Sequence, residues 1–203
     1  TERVTTYYRD PLGRLTGVRD PRGSQWAYVY DTFGDRREST DPDLGFWKMN
    51  YDASGNLIRQ TDAKGVRTDF QYDLLDRMTQ KLAGSDATDY TYDQVRSDAY
   101  NIGALTKAAN AVEVIDYDYA ELGGLKAESH RFDGRAYKIK TSWLGNGLID
   151  AITLPTNAAG TSEASAGAFR YDAANRAIGF GTKVTSIAYD LRDQPVRLEF
   201  GND

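Results

Sequence analysis

The 203-residue chain has no cysteine, one histidine, two methionines and five prolines. Without cysteine there can be no disulfide framework, thiolate zinc site or Cys nucleophile, and the chain suits a reducing or an oxidising compartment equally. The lone His130, in ESHRFDGR, leaves any metal site short of ligands, and no GxSxG elbow accompanies it. It reads as a surface or strand-edge residue. No run of 18 apolar residues is present to span a bilayer as a helix, and the opening TERVTTYYRD has no signal-peptide pattern. Charge of neither sign forms a long block; DRRES at 35–39 is the densest run and nearly cancels, as a solvated surface does. A net charge of −5 and a pI near 5.0 argue against nucleic acid or anionic lipid as partner, because phosphate binding needs clustered Lys and Arg.

What is abundant is tyrosine, with 14 copies, and glycine, with 19. That pairing favours strands broken by tight turns. The two are also periodic. Asp10, Asp31, Asp52, Asp73 and Asp93 recur at intervals of 21, 21, 21 and 20, and three residues after the first four stand Gly13, Gly34, Gly55 and Asp76. Aromatics stand three residues and one residue before several of these aspartates, as Tyr28 with Tyr30, Phe70 with Tyr72 and Tyr90 with Tyr92; Tyr51 also precedes Asp52. A second beat, DPRG at 20–23, DPDLG at 41–45 and DAKG at 62–65, falls between them.

Turn signals every 10 or 11 residues leave room for one strand and one turn, so the spacing predicts an antiparallel meander without helical crossovers. In Y-D-x-x-G, the Asp carboxylate is expected to accept N–H groups of the next two residues while Gly takes φ > 0, giving a type I turn closed by a G1 bulge. Alternation then sets the faces. Val66, Thr68, Phe70 and Tyr72 share one side, as do Trp26, Tyr28 and Tyr30, and Trp47, Met49 and Tyr51. Beyond Asp93 the beat loosens through QVRSDAYNI, YAELGGL, WLGNGLI, YDAANRA and YDLRDQPV. Its Gly slots fall at 103, 123, 147, 175 and 193, which makes nine units in one array over 1–203, read as a segment of a longer chain. The small polar run NAAGTSEASAGA at 157–168 is expected to be a flexible loop insertion.

Two catalytic readings of the aspartates are weak. Calcium β-helix ligands need a G-G-x-G-x-D pattern that is missing, and a glycosidase needs two carboxylates at a set distance, one with raised pKa. Turn capping explains every copy at once. Asp10, Gly13, Asp31, Gly34, Asp52, Gly55, Asp73 and Asp93 are therefore assigned to turns, and Tyr28, Tyr30, Tyr51, Phe70, Tyr72 and Tyr92 to an aromatic face, with no catalytic, metal or cofactor site. One unit buries too few large side chains to offset its ordering entropy, so the units must stack.

The phrases RDPLGRL at 9–15, YVYDTFGDR at 28–36, YNIGALT, RFDGRAYKIKTSW, ITLP and LEFGND resemble those of the Rhs, or YD-repeat, family, and the resemblance covers nearly the whole chain. It implies an all-β fold of repeated antiparallel β-hairpins forming a curved strip, part of a spiral shell. Relatives implied by it include bacterial Rhs proteins, the C component of Tc toxins and teneurins, in which a shell encloses or presents a polypeptide such as a C-terminal toxin. The implied role is structural, not enzymatic, and without cofactor, in a secreted or cell-surface parent protein. Expected partners are flanking repeats and an enclosed polypeptide, with self-association through open sheet edges. A carbohydrate-binding or adhesive surface, in which Trp26 and Trp47 stack on glycans, is the alternative of a different class. DPLG at 10–13 resembles the family's cleavage-region phrase but sits in an ordinary repeat slot.

Overall fold

The computed structural model describes residues 3–155 and 163–201. Every regular element among them is a β-strand, and the chain divides into two compact units, Thr1–Asp89 and Tyr90–Asp203. The first holds β1 (Thr6–Arg9), β2 (Leu15–Arg19), β3 (Gln25–Tyr30), β4 (Arg36–Asp41), β5 (Gly45–Tyr51), β6 (Leu57–Thr61), β7 (Arg67–Tyr72), β8 (Met78–Ala83) and the first residues of β9 (Asp86–Tyr92). Each strand pairs antiparallel with the next. The second unit continues from Tyr90 through β10 (Leu105–Asn110), β11 (Glu113–Tyr119), β12 (Leu125–Phe132), β13 (Arg135–Trp143), β14 (Ile149–Pro155), β15 (Glu163–Tyr171), β16 (Ala177–Phe180), β17 (Val184–Tyr189) and β18 (Pro195–Phe200). From β10 onward these also pair in chain order, all antiparallel.

The nine Gly-slot residues all have left-handed backbones, from φ 79° at Gly13 to 61° at Asn175 and 59° at Asp193. Asp and Asn substitute for Gly at three of them because their short polar side chains tolerate this region better than most. Just before eight of the nine turns the strand register slips by one residue, for example at Val29/Tyr30, Asn50/Tyr51 and Gln71/Tyr72. That bulge places the aromatic at each strand end. Two-residue hairpins also occur. Asp133 and Gly134, at φ 50° and 67°, join β12 to β13, as the Asp-Gly dipeptide favours, and Gly84 and Ser85 join β8 to β9.

The first unit has two distinct faces. Trp26, Tyr28 and Tyr30 on β3, and Trp47 and Tyr51 on β5, are half-buried while their neighbours are exposed, and Met49 between them is 7% exposed. Val66, expected on this face, is instead exposed at the end of a turn, where its N–H donates to the Asp62 carboxylate. On the opposite face, charges and amides are matched across strands: Arg59 and Arg67 both reach Asp69 at 2.7 and 2.6 Å, and Gln71, Gln80 and Asp89 form a hydrogen-bonded row. Met49 and Ala127 are the only buried hydrophobic residues among those described.

Of the expected 157–168 loop, 157–162 lies outside the described residues. Residues 163–168 are not loop but the start of β15, where Glu163 pairs with Pro155 and Ala168 with Ala151. Small residues in that stretch satisfy their backbone groups by extending the sheet, which their composition alone does not reveal.

Candidate functional site

The recurring feature is the turn, and its hydrogen bonds repeat closely. At Asp10, the backbone N–H donates to the Arg14 carbonyl at 3.0 Å and the carbonyl accepts from Gly13 N–H at 2.9 Å. The Oδ1 atom accepts from the N–H groups of Leu12 and Arg14, at 3.0 and 2.9 Å. Asp31, Asp52, Asp73, Asp172 and Asp190 repeat this pattern. The carboxylate thus reaches the second and fourth following residues, not the next two, because the third N–H is already closed onto the Asp carbonyl.

The second carboxylate oxygen binds a side chain that the sequence reading did not assign. Arg14, Arg77 and Arg176, four residues after their aspartates, donate Nε to Oδ2 at 2.6, 2.8 and 2.7 Å, and Asn56 donates its Nδ2 to Asp52 Oδ2 at 3.1 Å. Where position four is Asp35, Arg37 reaches back to Asp31 at 2.6 Å. The same side chains continue into the next turn: Arg14 donates to the Asp31 carbonyl, Asn56 to Asp76 and Arg176 to Asp193. Their guanidinium groups also lie over the next unit's tyrosine, Arg14 on Tyr30 at 5.0 Å, Arg37 on Tyr51 at 5.4 Å and Arg176 on Tyr189 at 4.9 Å. The Arg in RDPLGRL was the available signal.

Five of the aromatics at the turn starts have their own anchor. Tyr51, Tyr72, Tyr171 and Tyr189 donate their hydroxyls to the carbonyls of Arg36, Leu57, Ile149 and Ala177, each five residues past the preceding unit's turn start. Trp143, replacing Tyr, donates its indole N–H to the equivalent Leu125 carbonyl at 3.0 Å. Position and chemistry therefore agree: the ring lies on the sheet and its polar tip locks successive turns together. Of the other residues placed on the aromatic face, Tyr28 carries Arg36 over its ring, and Phe70 and Tyr92 are half-buried in β7 and β9.

These bonds hold the carboxyls in their charged form. Asp10 and Asp73 are lowered chiefly by the side-chain hydrogen bonds of Arg14 and Arg77, Asp52 by the Asn56 N–H, and Asp172 by the N–H and then the side chain of Arg176. For Asp31 partial desolvation is the largest single influence and pushes upward, but Asp35, Arg37 and Phe33 together outweigh it. All move opposite to the shift a glycosidase general acid needs.

Asp93 departs from this geometry. Its own φ is 61°, and its carboxylate accepts from Gly103 N–H, ten residues on, at 2.6 Å. The nine residues between form a loop built around Arg96. That guanidinium donates to Asp116 and Asp118 at 3.0 and 2.8 Å, to the carbonyls of Thr106 and Tyr117 at 3.1 Å each, and to Gln94. Asn101, 2% exposed, donates to the Gln94 carbonyl and Asp118 and accepts from Tyr119 N–H, while the buried Thr106 hydroxyl donates to the Thr91 carbonyl. Desolvation raises the Asp118 carboxyl, yet Arg96 and Asn101 hold it below its ordinary value.

His130 is in the middle of β12, half-buried, and not at a strand edge. Its Nδ1 lies 2.7 Å from Glu113 and its Nε2 2.9 Å from Glu128. Because the carboxylates lie on opposite edges of the ring, the three groups brace β11 and β12 and do not converge on a point. No group of three such ligands that could hold a metal occurs among the described residues. Trp26 and Trp47 have their indole N–H groups occupied, by Asp41 and by the Leu44 carbonyl.

Against known proteins, the family model for the RHS Repeat matches residues 2–43 and 51–87. Among curated proteins no match is found. The fold is similar to a crystal structure of TcdB2-TccC3-TEV, with a TM-score of 0.83 and 18% identity, and to TcdB2-TccC3 without its hypervariable C-terminal region, at 0.81 and 16%. It is also similar to the Photorhabdus luminescens Tc holotoxin pore, at 0.79 and 17%. In each case 99% of this chain is covered, and it spans 12% of the matched chain's length.

Proposed function

Given that this is an RHS-repeat chain, we propose that it is a structural segment of a shell that encloses or presents another polypeptide, such as a toxin, within a secreted or cell-surface parent protein. The whole chain, 1–203, acts as one array of about nine units. The observation that carries this reading is the ladder of turns: in five of the units an aromatic hydroxyl or indole bonds the backbone of the unit before it. Such an array gains its stability from the contacts between units, so it suits a wall more than a reaction centre. The tyrosine hydroxyls of this ladder and the carboxylates of the regular turns are committed to such structural bonds.

Protease protection tests it. The parent chain is digested with and without a substitution that breaks the ladder, Gly34→Pro, and fragments from outside the repeats are followed by mass spectrometry. The expected result is a polypeptide that resists digestion until the repeats are breached. Cleavage of every non-repeat segment at the same rate in both samples would overturn enclosure.

A further inference from the structure

Two adjacent turns in the second unit abandon the Asp and Arg pair. In YAELGGL, Ala120 and Gly124 stand where Asp10 and Arg14 or Asp172 and Arg176 stand elsewhere, and in WLGNGLI the Asp position is Leu144. Both still close as turns, with Ala120 N–H to the Gly124 carbonyl and Leu144 N–H to the Leu148 carbonyl, each at 2.8 Å. What is lost is the charged pair and the cation it places over the next ring. What replaces it is a cleft of about 470 Å³, lined by Ala120, Leu122, Trp143, Leu144 and Gly145 with the exposed Glu121 beside them.

Trp143 is fixed at this cleft. Its N–H is held by the Leu125 carbonyl, and its ring lies against Gly124, where even a Cβ would come within 2.5 Å of the indole. Glycine at 124 is therefore required for the close approach of the indole. We propose that the Trp143 cleft binds an arginine side chain from a partner polypeptide, supplying from outside the guanidinium that Arg14, Arg37 and Arg176 supply to Tyr30, Tyr51 and Tyr189 from within. The indole face attracts the cation, Leu122 and Leu144 cover its apolar stem, and the Glu121 carboxylate complements its charge.

The test uses the whole chain with Trp26→Phe and Trp47→Phe, so that Trp143 is the sole indole, titrated with acetyl-Gly-Arg-Gly-amide and followed by fluorescence. Saturation at roughly millimolar peptide is expected. The citrulline peptide, which keeps shape and loses charge, and methyl glucoside should not bind. Glu121→Gln should weaken binding about threefold. Gly145→Leu, at a position with open space and an ordinary backbone, should fill the cleft and abolish binding while leaving thermal unfolding unchanged. Equal binding of arginine and citrulline, binding of the glucoside instead, or no arginine binding by a folded chain overturns the proposal. The titration reads this cleft alone and protease protection reads enclosure alone, so either can fail without the other.

Discussion

Both units are built of antiparallel strands and share the turn backbone, but they hold themselves together differently. In the first, Thr1–Asp89, four regular turns each carry a lowered-pKa Asp, and the deepest apolar side chain is Met49 on an aromatic face. In the second, Tyr90–Asp203, the turn at Asp93 opens into a loop around Arg96, two turns have no Asp, and the fully buried side chains are the polar Asn101 and Thr106. The same backbone can thus be closed by repetition of one local device or by a single non-local polar cluster. The first spreads the stabilisation thinly; the second concentrates it.

Acid should separate the units most. A carboxyl whose folded pKa lies below its unfolded value contributes stability that is present above the unfolded pKa and lost as pH falls through the folded one. In the first unit Asp10, Asp31, Asp41, Asp52, Asp69 and Asp73 are lowered, and in the second Asp118 and Asp172. Hydrogen exchange read unit by unit should be uniform near pH 7 and show the first unit opening before the second below about pH 4. Equal loss of protection in both would break the comparison.

Next in size is Arg96→Ala. It removes the cation shared by Asp116 and Asp118, leaving Asp116 with Arg131 and Asp118 with Asn101, and should cost about 3 kcal/mol in urea unfolding. Exchange protection should fall in the second unit and not in the first. Tyr72→Phe deletes a single hydroxyl bond to the Leu57 carbonyl and should cost about 1 kcal/mol. Tyr189→Phe, which loses the equivalent bond to Ala177, should match it to within a few tenths of a kcal/mol. The smallest effect expected is a gain. Ala120→Asp restores an acceptor for the N–H groups of Leu122 and Gly124 and should add about 0.5 kcal/mol, measured as a raised midpoint of unfolding.

Much of this was legible in the amino-acid order. Gly13, Gly34, Gly55 and their Asp or Asn equivalents mark the turns because a left-handed residue is a local demand that few side chains meet. The Asp before them signals capping for the same reason, although the N–H groups it binds were misplaced. Arg14 and Arg176 were visible as letters without a role, since their partners Asp31 and Asp193 lie 17 residues on, in the next turn. Arg96 was hidden inside a stretch that reads only as an enlarged turn, and residues 163–168 read as loop because nothing in small polar residues announces a pairing partner.

The order of residues by itself decided where the chain bends, which residues alternate across each ribbon and that no helix interrupts them, because those choices depend on neighbours within a turn or a strand. Only the folded arrangement decided which carbonyl each tyrosine hydroxyl meets, that Arg96 joins two aspartates about 20 residues away, and that Trp143 settles on Gly124 beside a cleft. Those contacts arise from register between strands, and register is a property of the paired sheet.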